Sequence, residues 1–180
     1  EIQPGFGRTG KLFGFENYDC IPDILVIGKG MGGGMPVGAF VASEAHMDLL
    51  YDNPKLGHIT TFGGHPVIAA ACLATLQEIT ETNLMAETLE KEKLFRKLLV
   101  HPLIKEVRGK GLMLAAMTKS PNITNEVILR CHKRGLILFW LLFEGTAIRI
   151  TPPLTISNQE IEEGCKLLLE VMDEVEALNL

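Results

Sequence analysis

Asp23-Ile24-Leu25-Val26-Ile27-Gly28-Lys29-Gly30-Met31-Gly32-Gly33-Gly34 is the stretch on which the fold reading turns. Its first five residues form a short, nearly continuous apolar run of the kind buried in a parallel sheet. The run stops at a glycine cluster that holds a single lysine. A reactive group is thereby presented at the C-terminal end of a strand, where open α/β sheets place their ligands. Glycines on both sides of Lys29 leave room for a bulky ligand near the backbone and permit left-handed turns. A phosphate loop would require G-x-x-x-x-G-K-[ST], and Gly30 stands where the magnesium-binding hydroxyl should be, so the Walker reading fails. What remains is a lysine able to form a Schiff base, set against an ordinary lysine beside a glycine turn.

The composition around this stretch narrows the classes. The chain has 180 residues, 47% of them hydrophobic and 22% charged, with a formal net charge of −5. A compact chain of this size hides about 70% of its extended surface, enough for a core without staples. The acidic balance offers no electrostatic reason to expect a nucleic acid or an anionic membrane as partner. No stretch approaches the roughly 20 apolar residues needed to cross a bilayer; the apolar run Leu136 to Phe143 is far too short. The predicted chain is therefore soluble. Cys20, Cys72, Cys131 and Cys165 lie far apart with no C-x-x-C spacing, which suits reduced thiols and a cytoplasmic setting, and suggests no metal.

Texture changes along the chain. Up to about residue 66 glycine is dense and short apolar runs alternate with turns, which predicts strands joined by tight loops. Pro66 then opens an alanine- and leucine-rich helical stretch reaching about Leu99. Unbroken it would span roughly 50 Å, so a break is expected near Thr80 to Asn83. That break divides residues 1–80 from residues 81–180. Beyond it the sequence predicts an apolar segment at Gly111–Met117, a helix at about Thr124–Arg134, and strands at Leu136–Phe139 and Ala147–Thr151. A final helix carries a capping box, Ser157-Asn158-Gln159-Glu160, and a stripe of Ile161, Cys165, Leu168, Met172 and Val175. The acidic residues of that helix read as a solvated face. Leu138 to Phe143 reads as core.

Several segments then match a known pattern in order: Glu1-Ile2-Gln3-Pro4-Gly5-Phe6-Gly7-Arg8-Thr9-Gly10, Pro22-Asp23-Ile24, Gly28–Ala39, Thr61-Phe62-Gly63-Gly64-His65-Pro66 and Ile148-Arg149-Ile150-Thr151-Pro152-Pro153-Leu154. Together they resemble the class III aminotransferases, pyridoxal 5'-phosphate enzymes of fold type I that include the ornithine, acetylornithine and 4-aminobutyrate transaminases. The resemblance implies an α/β fold. Residues 1–80 would be the second part of the large parallel-sheet, cofactor-binding domain, and residues 81–180 a small C-terminal α/β domain with an antiparallel sheet backed by helices.

The resemblance also implies roles. Lys29 would hold the cofactor as a Schiff base and shuttle the proton, its amine facing a cavity with room for a phosphorylated aldehyde. Gln3 would lie beside the ring hydroxyl. Thr61, with Thr60 or His65 as alternatives, would reach the phosphate of a neighbouring subunit's cofactor, making a homodimer with shared sites. Arg149 would bind the substrate carboxylate through its planar fork. Read from the residues alone, Thr61 serves equally well as a helix cap, Gln3 as an exposed polar side chain, and Arg149 as the solvent side of an alternating strand. For Arg8 a structural contact is the expected role.

The family's pattern opens with an aspartate immediately before the position of Glu1. Gly28 and His65 stand where alanine or serine, and asparagine, are commoner. The chain is therefore expected to be a piece of a longer enzyme and inactive by itself. The implied reaction moves an amino group from an amino acid or ω-amine to a 2-oxo acid. An aminomutase or decarboxylase on the same scaffold is the alternative within this chemistry. A non-catalytic structural or interaction fragment is the alternative outside it.

Overall fold

The computed structural model describes residues 1–178. The chain divides into two compact units, Glu1–Met85 and Ala86–Leu180.

The first unit is rich in turns. A loop from Glu1 leads through a 3-10 turn at Gly14–Asn17 to strand β1 (Ile24–Ile27), and a second 3-10 turn at Lys29–Gly32 leads to strand β2 (Ala39–Ala42). Helices α1 (Glu44–Asp48) and α2 (Pro66–Glu81) follow. β1 and β2 pair antiparallel, with Val26 opposite Phe40, and no parallel pair occurs among the described residues. The reason is connection length: a parallel crossover needs about a dozen residues or more, and the link from Gly28 to Gly38 is shorter. Nor is β1 buried as a central parallel strand would be, since Ile24 and Val26 are both exposed and only Ile27 is enclosed. Phe6, Ile27 and Ile79 form a small core, with Leu12, Phe13, Met31 and others packed against it.

Glu1 organises the opening loop. Its carboxylate accepts from the backbone N–H of Gly14 (2.6 Å) and of Phe15 (3.0 Å), closing the loop over the first 3-10 turn. Asn17 Nδ2 donates to Thr9 Oγ1 at 3.0 Å and ties the loop's middle to the same turn.

The expected helix break is present, because α2 ends at Glu81 and helix α3 runs over Leu84–Leu98. The Thr82 hydroxyl accepts from the Leu84 N–H at 3.4 Å across the break.

In the second unit, strands β3 (Ile104–Lys110), β4 (Met113–Thr118), β5 (Phe139–Leu141) and β6 (Glu144–Ile150) form one antiparallel sheet in the order β3-β4-β6-β5. Helices α4 (Pro121–Lys133) and α5 (Asn158–Glu176) supply much of the rest of its large core, to which α3 adds Phe95. The antiparallel sheet backed by helices is as expected. β3 was not read from the sequence: three of the five residues Ile104-Lys105-Glu106-Val107-Arg108 are charged, and its apolar side chains are only partly buried at the sheet edge. α3 holds that edge, Arg96 donating to the carbonyls of Val107 (2.5 Å) and Gly109 (2.7 Å) while Glu92 accepts from Gly111 N–H at 2.5 Å.

Period-2 alternation in β6 sends Ile148 and Ile150 into the main core. The strand predicted at Leu136–Phe139 begins only at Phe139. The reading of Leu138–Phe143 as core is corrected as well: Leu138 is buried, but Leu142 and Phe143 form the turn between β5 and β6 and are 92% and 100% exposed. The two-residue connection between the edge strand β5 and its neighbour β6 projects beyond the strand ends, so its side chains find no layer to enter.

The α5 capping box forms as predicted, with Glu160 N–H donating to Ser157 Oγ (3.2 Å) and Ser157 N–H donating to Glu160 Oε2 (2.8 Å). Its five predicted stripe residues are all buried. Its acidic face does more than meet water. Glu170 and Glu174 pair with Arg134 of the loop after α4, Glu174 also pairs with Arg130, and Asp173 pairs with His101.

Candidate active site

Lys29 follows directly after β1 and Gly28, at the strand's C-terminal end. It is exposed, and its ammonium has no hydrogen bond or ion pair among the described residues. Its backbone sits at φ 44°, one of three non-glycine residues in the left-handed region among the described residues, the others being Phe6 and Leu56. For a side-chain-bearing residue that conformation is costly, and such strain gathers at functional positions.

The glycines on either side of it are closely packed. A Cβ on Gly28 would come within 3.2 Å of Ile2 Cδ1, and one on Gly30 within 3.2 Å of Phe6 Cβ. The two glycines flanking Lys29 thus lie against Ile2, the residue before Gln3, and Phe6, three residues after it. The structure brings the Lys29 loop and the Gln3 segment together. Gln3 is exposed, and no partner is found for its amide among the described residues.

The rest of the glycine run has a different purpose from the one expected. A Cβ on Gly32 would lie 2.8 Å from Val37 Cγ1, and one on Gly33, at φ 55°, would strike Thr75 Oγ1 of α2. These glycines make space for the protein itself, letting the turn seat on α2. Only at Gly34 is there open space.

A cleft of about 580 Å³ opens nearby, lined among others by Met31, Thr60, Phe62, His65, Ile68 and Cys72. Thr60 is on its wall; Lys29, Gln3 and Thr61 are not. The reading of Thr61 as a helix cap is corrected. The N-cap of α2 is His65, whose Nδ1 accepts from Val67 N–H at 3.3 Å, with Pro66 in the first turn. The cap must sit immediately before the first helical residue, and Thr61 is four positions too early. Thr60 and Thr61 are both exposed. Arg8 is half-buried, and burial holds its guanidinium below its ordinary pKa.

In the second unit Arg149 is half-buried on β6, paired across the sheet with Phe139 of β5. Its guanidinium carbon lies 5.1 Å from the centre of the Phe139 ring. The other four arginines of this unit all have a carboxylate: Arg96 has Glu92, Arg108 has Glu106, Arg130 has Glu126, and Arg134 has Glu170. Arg149 has none among the described residues. Phe139 escaped the sequence reading, because cross-strand register cannot be read before both strand boundaries are known.

The first unit thus carries a primary amine with no hydrogen bond or ion pair among the described residues, and the second, taken by itself, a guanidinium with no carboxylate partner among them. Those are groups for an aldehyde and for a carboxylate. The sequence profile of the family Aminotransferase class-III matches residues 1–172.

The chain belongs to the class III aminotransferase family.

Among curated relatives, it is 38% identical to an acetylornithine aminotransferase of Caldanaerobacter subterraneus subsp. tengcongensis, over 97% of this chain and 44% of the relative. It is 40% identical to a putrescine aminotransferase of Pectobacterium atrosepticum, over 99% of this chain and 39% of the relative. In structure it is similar to the ornithine aminotransferase of Toxoplasma gondii, with a TM-score of 0.87 at 29% identity, covering 99% of this chain and 43% of that one. The chain thus spans less than half the length of the relatives it matches. Class III aminotransferases are pyridoxal phosphate enzymes of α/β fold, and the exposed Lys29 amine, with no hydrogen bond or ion pair among the described residues, has the chemistry that the aldehyde of such a cofactor requires. No helix among the described residues is long and apolar enough to cross a membrane.

Proposed function

We propose that the protein transfers an amino group from an amino acid or ω-amine to a 2-oxo acid, with Lys29 as the residue that carries the cofactor. The placement of Lys29 carries this reading: a partner-free amine in a left-handed backbone, just past the C-terminal end of β1, between glycines packed on Ile2 and Phe6. Bound pyridoxal phosphate supplies the electron sink that makes a proton on the amine-bearing carbon removable. Lys29 Nζ holds the cofactor, and once displaced by the substrate amine it takes that proton and later returns it, the work of a general base and acid. Arg149 offers its unclaimed N–H fork to a substrate carboxylate. Gln3 donates toward the ring hydroxyl. Thr60 or Thr61, both exposed, reaches the phosphate of a second copy, so that the working enzyme is a homodimer. All four cysteines are free, which suits a cytoplasmic enzyme.

The test is reduction of the holoenzyme with borohydride, followed by mass mapping. The cofactor's mass is expected on the peptide containing Lys29, and Lys29→Ala is expected to lose it together with activity, by a factor on the order of 10² to 10⁴. A cofactor mass found on another lysine would overturn the assignment.

A further inference from the structure

We propose that Phe139 is a positioning residue for Arg149, holding the guanidinium for a substrate carboxylate without occupying its donors. The inference rests on the carboxylate-binding reading of Arg149 given above and goes one residue beyond it. An arginine fixed by a glutamate, as the other four of this unit are, has its N–H fork already engaged. An aromatic face attracts the cation through the ring quadrupole and accepts nothing along the edge of the guanidinium plane. Phe139 therefore orients Arg149 without using its hydrogen-bonding edge, which meets no carboxylate among the described residues.

Phe139 is itself held in place. It pairs with Arg149 in the β5–β6 ladder, and the His132 ring of α4 meets it at 6.3 Å between centroids and 67° between planes. His132 Nε2 also bonds the carbonyl of Leu138, the preceding residue, at 2.6 Å. α4 thus holds β5 at the point where the ring is presented. Phe139 is 49% exposed, so replacing it removes little core.

The experiment compares holoenzyme variants in the first half-reaction, using an amino acid the enzyme turns over and the carboxamide analogue of that acid, read as substrate or as competitor. Phe139→Leu is expected to raise the half-saturating concentration of the acid roughly two- to fivefold, the size of a partly exposed cation–π contact, with the limiting rate and the carboxamide constant unchanged. Phe139→Tyr, which keeps the ring, should match the unmodified enzyme. Arg149→Gln examines the underlying reading and should weaken the acid more than Phe139→Leu does, again sparing the carboxamide. If Arg149→Gln leaves the acid's constant unchanged, the carboxylate reading fails and the role of Phe139 falls with it. If Arg149→Gln behaves as expected but Phe139→Leu has no effect, or shifts acid and carboxamide alike, the positioning role is overturned while the carboxylate reading stands.

Discussion

Cys131 and Cys165 show what the interior does to a reactive group. Both are buried, and removal from water pushes their thiols up to about 11 and about 12, so neither forms thiolate at neutral pH. Iodoacetamide is expected to leave both unmodified in the folded protein and to reach them only on unfolding, as peptide mass spectrometry would record. Alkylation of either in the native state would contradict the packing. Lys29 lies at the other extreme, exposed and unpartnered, and a lysine inside a glycine run already pointed to it in the sequence. The phenylalanine beneath Arg149 was not legible, because it depends on which residues of two separate strands come opposite one another.

At the scale of the element, α5 was the most legible part of the chain, since its cap, its stripe and its length are all local properties. Ser157 N–H, then the Ser157 hydroxyl, donates to the Glu160 carboxylate and holds it below the usual carboxylate range. A pKa depressed by folding means that the stabilisation is complete above the free carboxyl's ordinary value, about 4.3, and is lost as pH falls through the lower folded value. Glu160→Gln is thus expected to lower stability at neutral pH and to make the acid unfolding of helical circular dichroism less steep in that window. An unchanged acid transition would remove the cap from the account. β3 and the β5–β6 turn went the other way. The charged β3 owes its place to Arg96 and Glu92 on α3, and the apolar tip Leu142-Phe143 owes its exposure to the tightness of its turn. Local periodicity carries neither fact.

Over the whole molecule, the order of the signature segments made the family legible, while the antiparallel pairing of β1 and β2 was not, because pairing direction depends on connection length and on the strands available. The chain spans under half the length of its relatives, and Gln3, Lys29, Thr60 and Thr61 are all exposed on it. Water has free access to each of these groups, whereas such chemistry needs an enclosed site. The 180-residue chain mixed with pyridoxal phosphate is therefore expected to show no turnover of amino donor with 2-oxo acid; steady turnover would refute this.

The two units differ in what lies inside them. The first encloses Phe6, Ile27 and Ile79, whereas nineteen buried side chains form the main cluster of the second. Resistance to opening follows enclosed apolar surface, so in this 180-residue chain taken by itself the unit bearing the amine is the softer one. Any molecule that grips that amine only when its loop is correctly folded draws the surrounding backbone toward order by mass action, and loading the enzyme and finishing its folding become aspects of one equilibrium.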